Sequence, residues 1–412
     1  MILADFLREC GFSAELEPFF APYWGEGSFP DAMPEHLTMA FFRRWMPLLE
    51  LNPAIPESRM ESLASAVRSN SALRIYANLL DGWLLRGVPG PDHRLLPYPV
   101  ELLGEEGAGL FSLMAALAAL PRIAETHARL GLDESYVRGI AKWIAGTTSI
   151  YGSAHHGIPG TDFRQHHWLV HSIDARLFRI GRFEFLIHTA PDWIPALYRN
   201  RFSGRIEAFC RDGWRLDNDG FRCDKGGTPA TLEQEGSMLT GIPVDPATGR
   251  AVPGARRTID LELHEPLLTP HEWVPSVHIP GGGGMTPELA GESLRSAARF
   301  FRRQFHKEIR VFVCESWILN PAWLELLPES NLAKFMRELF LFPAPPEERS
   351  GLFFVFGRDD GEFSSYPADN SLRRAFHRLH DSGGTFRAGG MFIPVGGLDR
   401  WGEQIYRSRF GE

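Results

Sequence analysis

Through the first third of the chain, hydrophobic residues recur at helical spacing. Ala64, Val67, Leu73, Ile75, Leu79, Leu80, Trp83 and Leu84 form one series, and Phe111, Leu113, Met114, Leu117, Leu120 and Ile123 a second. Residues three and four apart share a helix face, so both series predict helices with one buried side. Pro47, Pro53, Pro56 and Gly87-Val88-Pro89-Gly90-Pro91 punctuate the pattern. Residues 1–150 therefore read as a helical domain, and the turn-rich segment YGSAHHGIPGTD at 151–162 marks its expected end.

Beyond that boundary the period shortens. Trp168–Leu177 predicts one more helix, because Leu169, Ile173 and Leu177 fall four apart. Arg182–His188 alternates as a strand, with Phe183, Phe185 and Ile187 on one side. Arg205–Cys210 and Trp214–Leu216 flank Asp212-Gly213, a hairpin-turn signal because glycine accepts positive φ. Thr258–His264 and Trp273–Ile279 predict further strands. A helix over Pro287–Phe305, a strand over Ile309–Ser316 and one or two helices over Pro321–Phe340 come next. Strands at Leu352–Phe356 and Gly390–Pro394 bracket a helix at Ser371–His380. Antiparallel strands followed by βα units predict an α+β fold, with a mixed, twisted sheet flanked by helices over 151–412.

Composition narrows the possible partners. With 23% charged and 44% hydrophobic residues among 412, the chain is globular. Lys and Arg number 43 against 51 Asp and Glu, a net charge of −8, which argues against nucleic acid as partner. The least polar stretch, Leu110–Pro121, is shorter than the ~20 residues that cross a bilayer, so a core helix is expected and no membrane partner. Asp5 and Glu9 stand where a signal peptide needs positive charge, and the expected compartment is the cytoplasm. Cys10, Cys210, Cys223 and Cys314 include no CxxC pair, which disfavours a disulfide framework or structural zinc.

Candidate chemistry concentrates at 273–305, WVPSVHIPGGGGMTPELAGESLRSAARFFRRQF. A strand runs into four glycines and then a helix start. Thr286 is placed to cap it, Pro287 suits the first helical position, and Glu288 suits the positive end. Such a turn brings main-chain N–H groups and a helix N-terminus to one place, as a pyrophosphate requires. No Lys-Ser/Thr pair follows the glycines, which excludes a P-loop, and Thr286 stands where a dinucleotide fingerprint has its third glycine. Glu288 and Glu292 oppose an anion, whereas Arg295, Arg299 and Arg302 share one helix face and offset them. A plain surface turn is the competing reading.

The order strand, glycine turn, helix, strand IRVFVCES (309–316) and helix from Asn320-Pro321-Ala322-Trp323 resembles the coenzyme A-binding half of the GNAT N-acyltransferases. WVPSVHIPGGGGMT, VFVCESWILNPAW and SNLAKF (330–335) are more closely similar to a bacterial acyltransferase family. Its members pair a helical N-acyltransferase N-terminal domain with a GNAT-like C-terminal domain. Two departures stand out. The usual Gln/Arg-x-x-Gly-x-Gly/Ala signature is replaced here by Pro280-Gly-Gly-Gly-Gly-Met285-Thr286, and the general-acid tyrosine has no counterpart after Asn320.

The resemblance implies an acyl-CoA donor held between the strands at 273–279 and 309–316. Ile279, Gly281, Gly282, Gly283, Gly284, Met285 and Thr286 would hold the carrier, with Asn320 opening the next helix; Pro280 has no N–H to give. The acyl group would pass by direct attack to a small-molecule or peptide amine. That attack needs a base, and His278 at the strand end suits it, with Glu315 as orienting partner or alternative base. Ser316 or Cys314 would protonate the departing thiolate. A non-catalytic acyl-CoA sensor is the alternative. No metal is expected: His155, His156, His166, His167 and His171, which read as exposed loop residues, and His264, His271 and His278 match no ligand spacing.

Overall fold

The computed structural model describes residues 1–25, 31–269, 271–281 and 284–408. The chain divides into two compact units, Met1–Arg179 and Ile180–Glu412.

The first unit is helical. Helix α1 (Ser71–Leu85) starts where the Asn70 carboxamide oxygen accepts from Leu73 N at 3.0 Å. Of the periodic positions it buries Leu73, Ile75, Leu80, Trp83 and Leu84, with Leu79 half-buried and Tyr76 added to the core. Helix α2 (Val100–Leu117) kinks at Gly104, whose φ of 64° lies outside the helical region, and every residue from Ala108 to Leu117 is buried. The second periodic series does not continue as one helix. It breaks at Ala118-Ala119, and a new helix, Leu120–Arg129, places Pro121 in its first turn, where a missing N–H removes no bond. By length and composition Val100–Arg129 would suffice to cross a membrane, but 78% of its most apolar window is buried as the core of this unit. Helix α3 (Glu134–Ala154) and a short helix, His167–Ile173, complete the unit, so the turn-rich 151–162 segment lies inside it. The last helix stops four residues short of expectation, because Ala175 turns left-handed (φ 56°) and Leu177 begins a strand.

The second unit is organised by a six-stranded sheet. The sheet's strands are β1 (Leu177–Ile180), which begins in the last residues of the first unit, β2 (Phe183–Leu186), β3 (Ser276–His278), β4 (Val311–Ser316), β5 (Phe340–Phe342) and β6 (Gly389–Pro394), ordered β1-β2-β3-β4-β6-β5. β3 and β4 run parallel, and β2–β3, β4–β6 and β6–β5 are antiparallel. Helix α4 (Pro287–Phe305) is the crossover between the parallel pair, with the bounds its cap signals predicted. It packs on one sheet face, where Phe185 meets Phe301 at 6.4 Å and Phe312 at 5.2 Å between ring centroids. Ser293 of α4 clamps the β1–β2 turn: its hydroxyl accepts from Phe183 N and donates to Ile180 O. Gly181 in that turn has φ 63°, and a Cβ there would meet Ser293 at 3.3 Å. The long insertion between β2 and β3 covers the other face. Its Ile194, Leu197, Trp214 and Leu267 share a core with Val311, Val313, Phe340 and Phe392.

The insertion departs most from the sequence reading. Gly213 does turn with φ 80°, but its flanks do not pair with each other. Ile206–Phe209 pairs with Ala196–Asn200, and Arg215–Leu216 with Thr228–Pro229. The strand expected over Thr258–His264 is two strands in different sheets, Arg257–Asp260 and His264–Pro266. Leu352–Phe356 is a helix, not a strand, set between left-handed Gly351 and Gly357. Five apolar residues in a row carry no period to separate the two. Phe340, the last residue of the helical stretch expected over Pro321–Phe340, instead opens the edge strand β5, Phe340–Phe342.

Several histidines of the first unit are buried, which corrects the expectation of exposure for His166. It is 1% exposed, its Nε2 lies 2.8 Å from Thr161 Oγ1, and burial lowers its pKa to about 3. His127 is equally buried with neither ring nitrogen bonded, and burial lowers it to about 4. In the unfolded chain each takes up a proton near pH ~6.5 that the folded state refuses, so stability falls as pH drops below that value. His127→Leu should remove part of this sensitivity. Between about pH 7 and pH 5 the variant should lose ~1–2 kcal/mol less than the parent by urea unfolding; an equal loss contradicts the assignment.

Candidate functional site

The parallel pair at the centre of the sheet is joined at one rung. Ser276 lies opposite Val313, and Val313 N donates to Pro275 O at 3.2 Å. The next rung would join Val277 C=O to Glu315 N–H, and the ladder does not contain it. Past this point β3 stays with β2, His278 opposite Glu184, while β4 stays with β6 up to Ser316 opposite Gly389. The sheet thus opens between Val277–Ile279 and Cys314–Ser316. Residues alternate in direction along a strand, so the main-chain groups of Val277, Ile279 and Glu315 face the opening.

Side chains divide by the same alternation. Ser276, His278, Glu184, Val313 and Glu315 project to the insertion side, because residues opposite each other share a face. His278 Nε2 lies 2.9 Å from the Ser276 hydroxyl. Glu184, 1% exposed, stands beside His278 across the β2–β3 ladder. Across the opening, burial together with the Glu347 carboxylate raises the pKa of Glu315 to about 7, and Arg222 opposes that rise. Arg222 stacks on Trp214 at 4.3 Å, and its Nη1 is buried without a hydrogen-bond partner. The insertion face therefore carries Glu315, with a pKa raised to about 7, on β4, and His278 and Glu184 on the strands across the opening.

The structure brings His278 and Glu315 to one face and separates Ser316 and Cys314 from them. Ser316 Oγ accepts from Ile318 N at 3.4 Å, capping the turn that follows β4. Cys314 is 2% exposed, and burial drives its thiol well above the usual range, which removes it as a proton donor. Asn320 Nδ2 donates to Thr385 O and its Oδ1 accepts from Ala322 N, both at 3.1 Å, so its amide braces the next segment.

The expected cradle is described in part. Gly282 and Gly283 lie outside the described residues. Ile279 leads directly from the open edge of β3, and a Cβ on Gly281 would meet nothing within 4 Å. Gly284 O accepts from Arg182 Nε at 3.1 Å, Met285 is buried in the core, and Thr286 caps α4 through Leu289 N at 3.4 Å. The arginines of α4 are engaged elsewhere: Arg295 with Leu398 O, Arg299 with Ser296 and Arg302 with Glu308. The cation at the glycine turn is Arg182, from β2's leading edge. By strand alternation the sequence puts it, with Glu184 and Leu186, only on the face opposite Phe183, Phe185 and Ile187. The signal for Glu184 was a carboxylate between Phe183 and Phe185 in an otherwise apolar run. Among the described residues no group of three or more His, Cys, Asp or Glu side chains is arranged to hold a metal ion.

A strand ladder that splits after one rung and a crossover helix between the parallel pair define a GNAT-like fold. The chain belongs to the family defined by the GNAT-like C-terminal domain, whose model matches residues 177–392. Among solved structures it is similar to an acyltransferase in complex with decanoyl-CoA and teicoplanin (TM-score 0.60, 20% identity, 96% of this chain and 100% of that one). It is also similar to an acyltransferase in complex with CoA and 10C-teicoplanin (TM-score 0.59, 19% identity, 96% and 100%). A mutant acyltransferase with octanoyl-CoA matches with TM-score 0.58 at 19% identity over 96% and 99%. No curated protein matches the sequence significantly.

Because the folded Glu315 holds a proton that the unfolded chain releases from about pH 4.5 upward, its contribution to stability declines between there and pH ~7. Glu315→Gln, which cannot ionise, should gain on the parent across that window. The difference in melting temperature should be near zero below about pH 4.5 and largest above about pH 7. A difference independent of pH contradicts a buried, titrating Glu315.

Proposed function

We propose that the protein is an acyl-CoA-dependent N-acyltransferase that passes the acyl group directly from the CoA thioester to an amine. The observation that carries this reading is the missing rung between Val277 C=O and Glu315 N–H. It leaves a main-chain donor and acceptor at the edge of a slot, and the pantetheine arm of CoA offers amides to pair with both. The slot leads to the 279–286 turn, where Arg182 and the α4 N-terminus supply positive charge for the pyrophosphate. The solved neighbours, whose structures hold decanoyl-CoA, octanoyl-CoA or CoA, support a CoA thioester as donor.

The chemistry follows from the face that carries Glu315 and His278. The amine nitrogen attacks the thioester carbon, a C–N bond forms, and the C–S bond breaks as the tetrahedral intermediate collapses. Glu315, ionised above pH ~7, takes the proton that nitrogen loses, and the protonated carboxyl can return it to the departing thiolate. His278, held by Ser276, stands across the slot, within the same face, to orient the incoming amine. The acceptor is a small-molecule or peptide amine; the neighbour solved with teicoplanin beside decanoyl-CoA supports an acceptor of that size.

Calorimetry with decanoyl-CoA and thiol release on a panel of amines test the reading together. Binding, release with at least one amine, and a kcat that rises with pH through about 7 are expected. Glu315→Gln should lower kcat by roughly 100-fold with the KM for decanoyl-CoA little changed, and Arg182→Gln should weaken CoA binding about fivefold. Binding without thiol release for any amine would favour a non-catalytic acyl-CoA-binding protein, and absence of binding would overturn both readings.

A further inference from the structure

A cavity of about 440 Å³ lies at the opposite end of β4 from the open slot, walled by Arg310 at the strand's start and by the residues that follow β6. Five residue steps from Arg310, at ~3.3 Å each, put it roughly 17 Å from Glu315 along the strand. Phe340 and Tyr406, with ring centroids 6.2 Å apart, give it an apolar, aromatic wall. Arg199, Arg205, Arg310 and Arg400 form the polar part.

The acids beside those arginines are shared. Glu207 serves two guanidinium groups, Arg205 at 2.9 Å and Arg257 at 2.6 Å. Glu265 likewise serves both Arg199 and Arg201. Arg400 is paired with Glu403 at 2.6 Å. Arg310 makes a single long contact, 3.4 Å to Glu272, and Arg205 a single contact to Glu207, so each keeps most of its five N–H donors for another partner. Both side chains are about two-thirds buried, 34% and 31% exposed, which strengthens their hold on an anion. Among the described residues the one acid in the wall, Glu308, is turned to Arg302 at 2.7 Å.

We infer that this cavity is a second ligand site, distinct from the acyl-CoA slot, that takes a compact organic carboxylate with an aromatic or apolar body. The carboxylate would bridge Arg205 and Arg310 in the bidentate geometry guanidinium favours, while the body lies against Phe340 and Tyr406.

The test is calorimetry with 2-naphthoate and its neutral match 2-naphthamide on the full chain. Naphthoate should bind at least tenfold tighter than the amide, and Arg205→Gln and Arg310→Gln should each weaken it at least fivefold while melting as the parent does. Saturating decanoyl-CoA should leave naphthoate affinity within twofold. Equal affinity for the two probes, unchanged affinity in both variants, or displacement by decanoyl-CoA would each overturn the proposal. Should a variant fail to fold, the probe pair and the competition on the parent protein still decide it.

Discussion

One absent hydrogen bond governs the second unit. After the Ser276–Val313 rung, β3 and β4 stop pairing, and Val277 C=O and Glu315 N–H face each other without meeting. A buried main-chain group left unpaired costs ~1–3 kcal/mol, so such a split persists only where water or a ligand serves the edge and the flanks are held from outside. They are held here. β4 is paired with β6 along its whole length, β3 with β2, and α4 is pinned by Ser293 to the β1–β2 turn. The six-stranded sheet behaves as two three-stranded leaves hinged at one rung, and the slot is the space between them.

The electrostatics of the slot follow from the same geometry. Glu315 projects from the free edge of β4 to the insertion side, next to the apolar core of Val311, Val313 and Phe392. Loss of water there raises its pKa to about 7, Glu347 adds to the rise, and Arg222 limits it. A carboxyl poised near neutrality is what a general base at physiological pH needs, and the opposed environments of Glu315 and Cys314, neighbours in sequence, come from strand alternation alone. Glu315 meets the half-open slot, while Cys314 is sealed between sheet and helices with its proton held.

How much of this was legible in the chain depended on how local the signal was. The α4 bounds, the strands at β2, β3, β4 and β6, and the pairing of a helical first region with a mixed sheet were readable, because caps, glycines and apolar periods are short-range. His278 and Glu315 could be named as candidates, but that they share a face required the β3–β4 register. Leu352–Phe356 was misread because an unbroken apolar run has no period, and the insertion because its strands pair across the chain rather than across Asp212-Gly213. Arg182 reaches the glycine turn from more than a hundred positions away, and the two carboxylates that each serve two arginines near Arg310 are likewise tertiary facts.

The central claim, that the unzipped strand edges receive the pantetheine arm, is tested most directly by a crystal structure of the protein grown with decanoyl-CoA. The account requires the arm to run between Val277–Ile279 and Cys314–Ser316, with amides bonded to Val277 C=O and Glu315 N–H and the pyrophosphate beside Arg182. A structure in which those two main-chain groups bond each other, with the thioester lodged elsewhere, would contradict it.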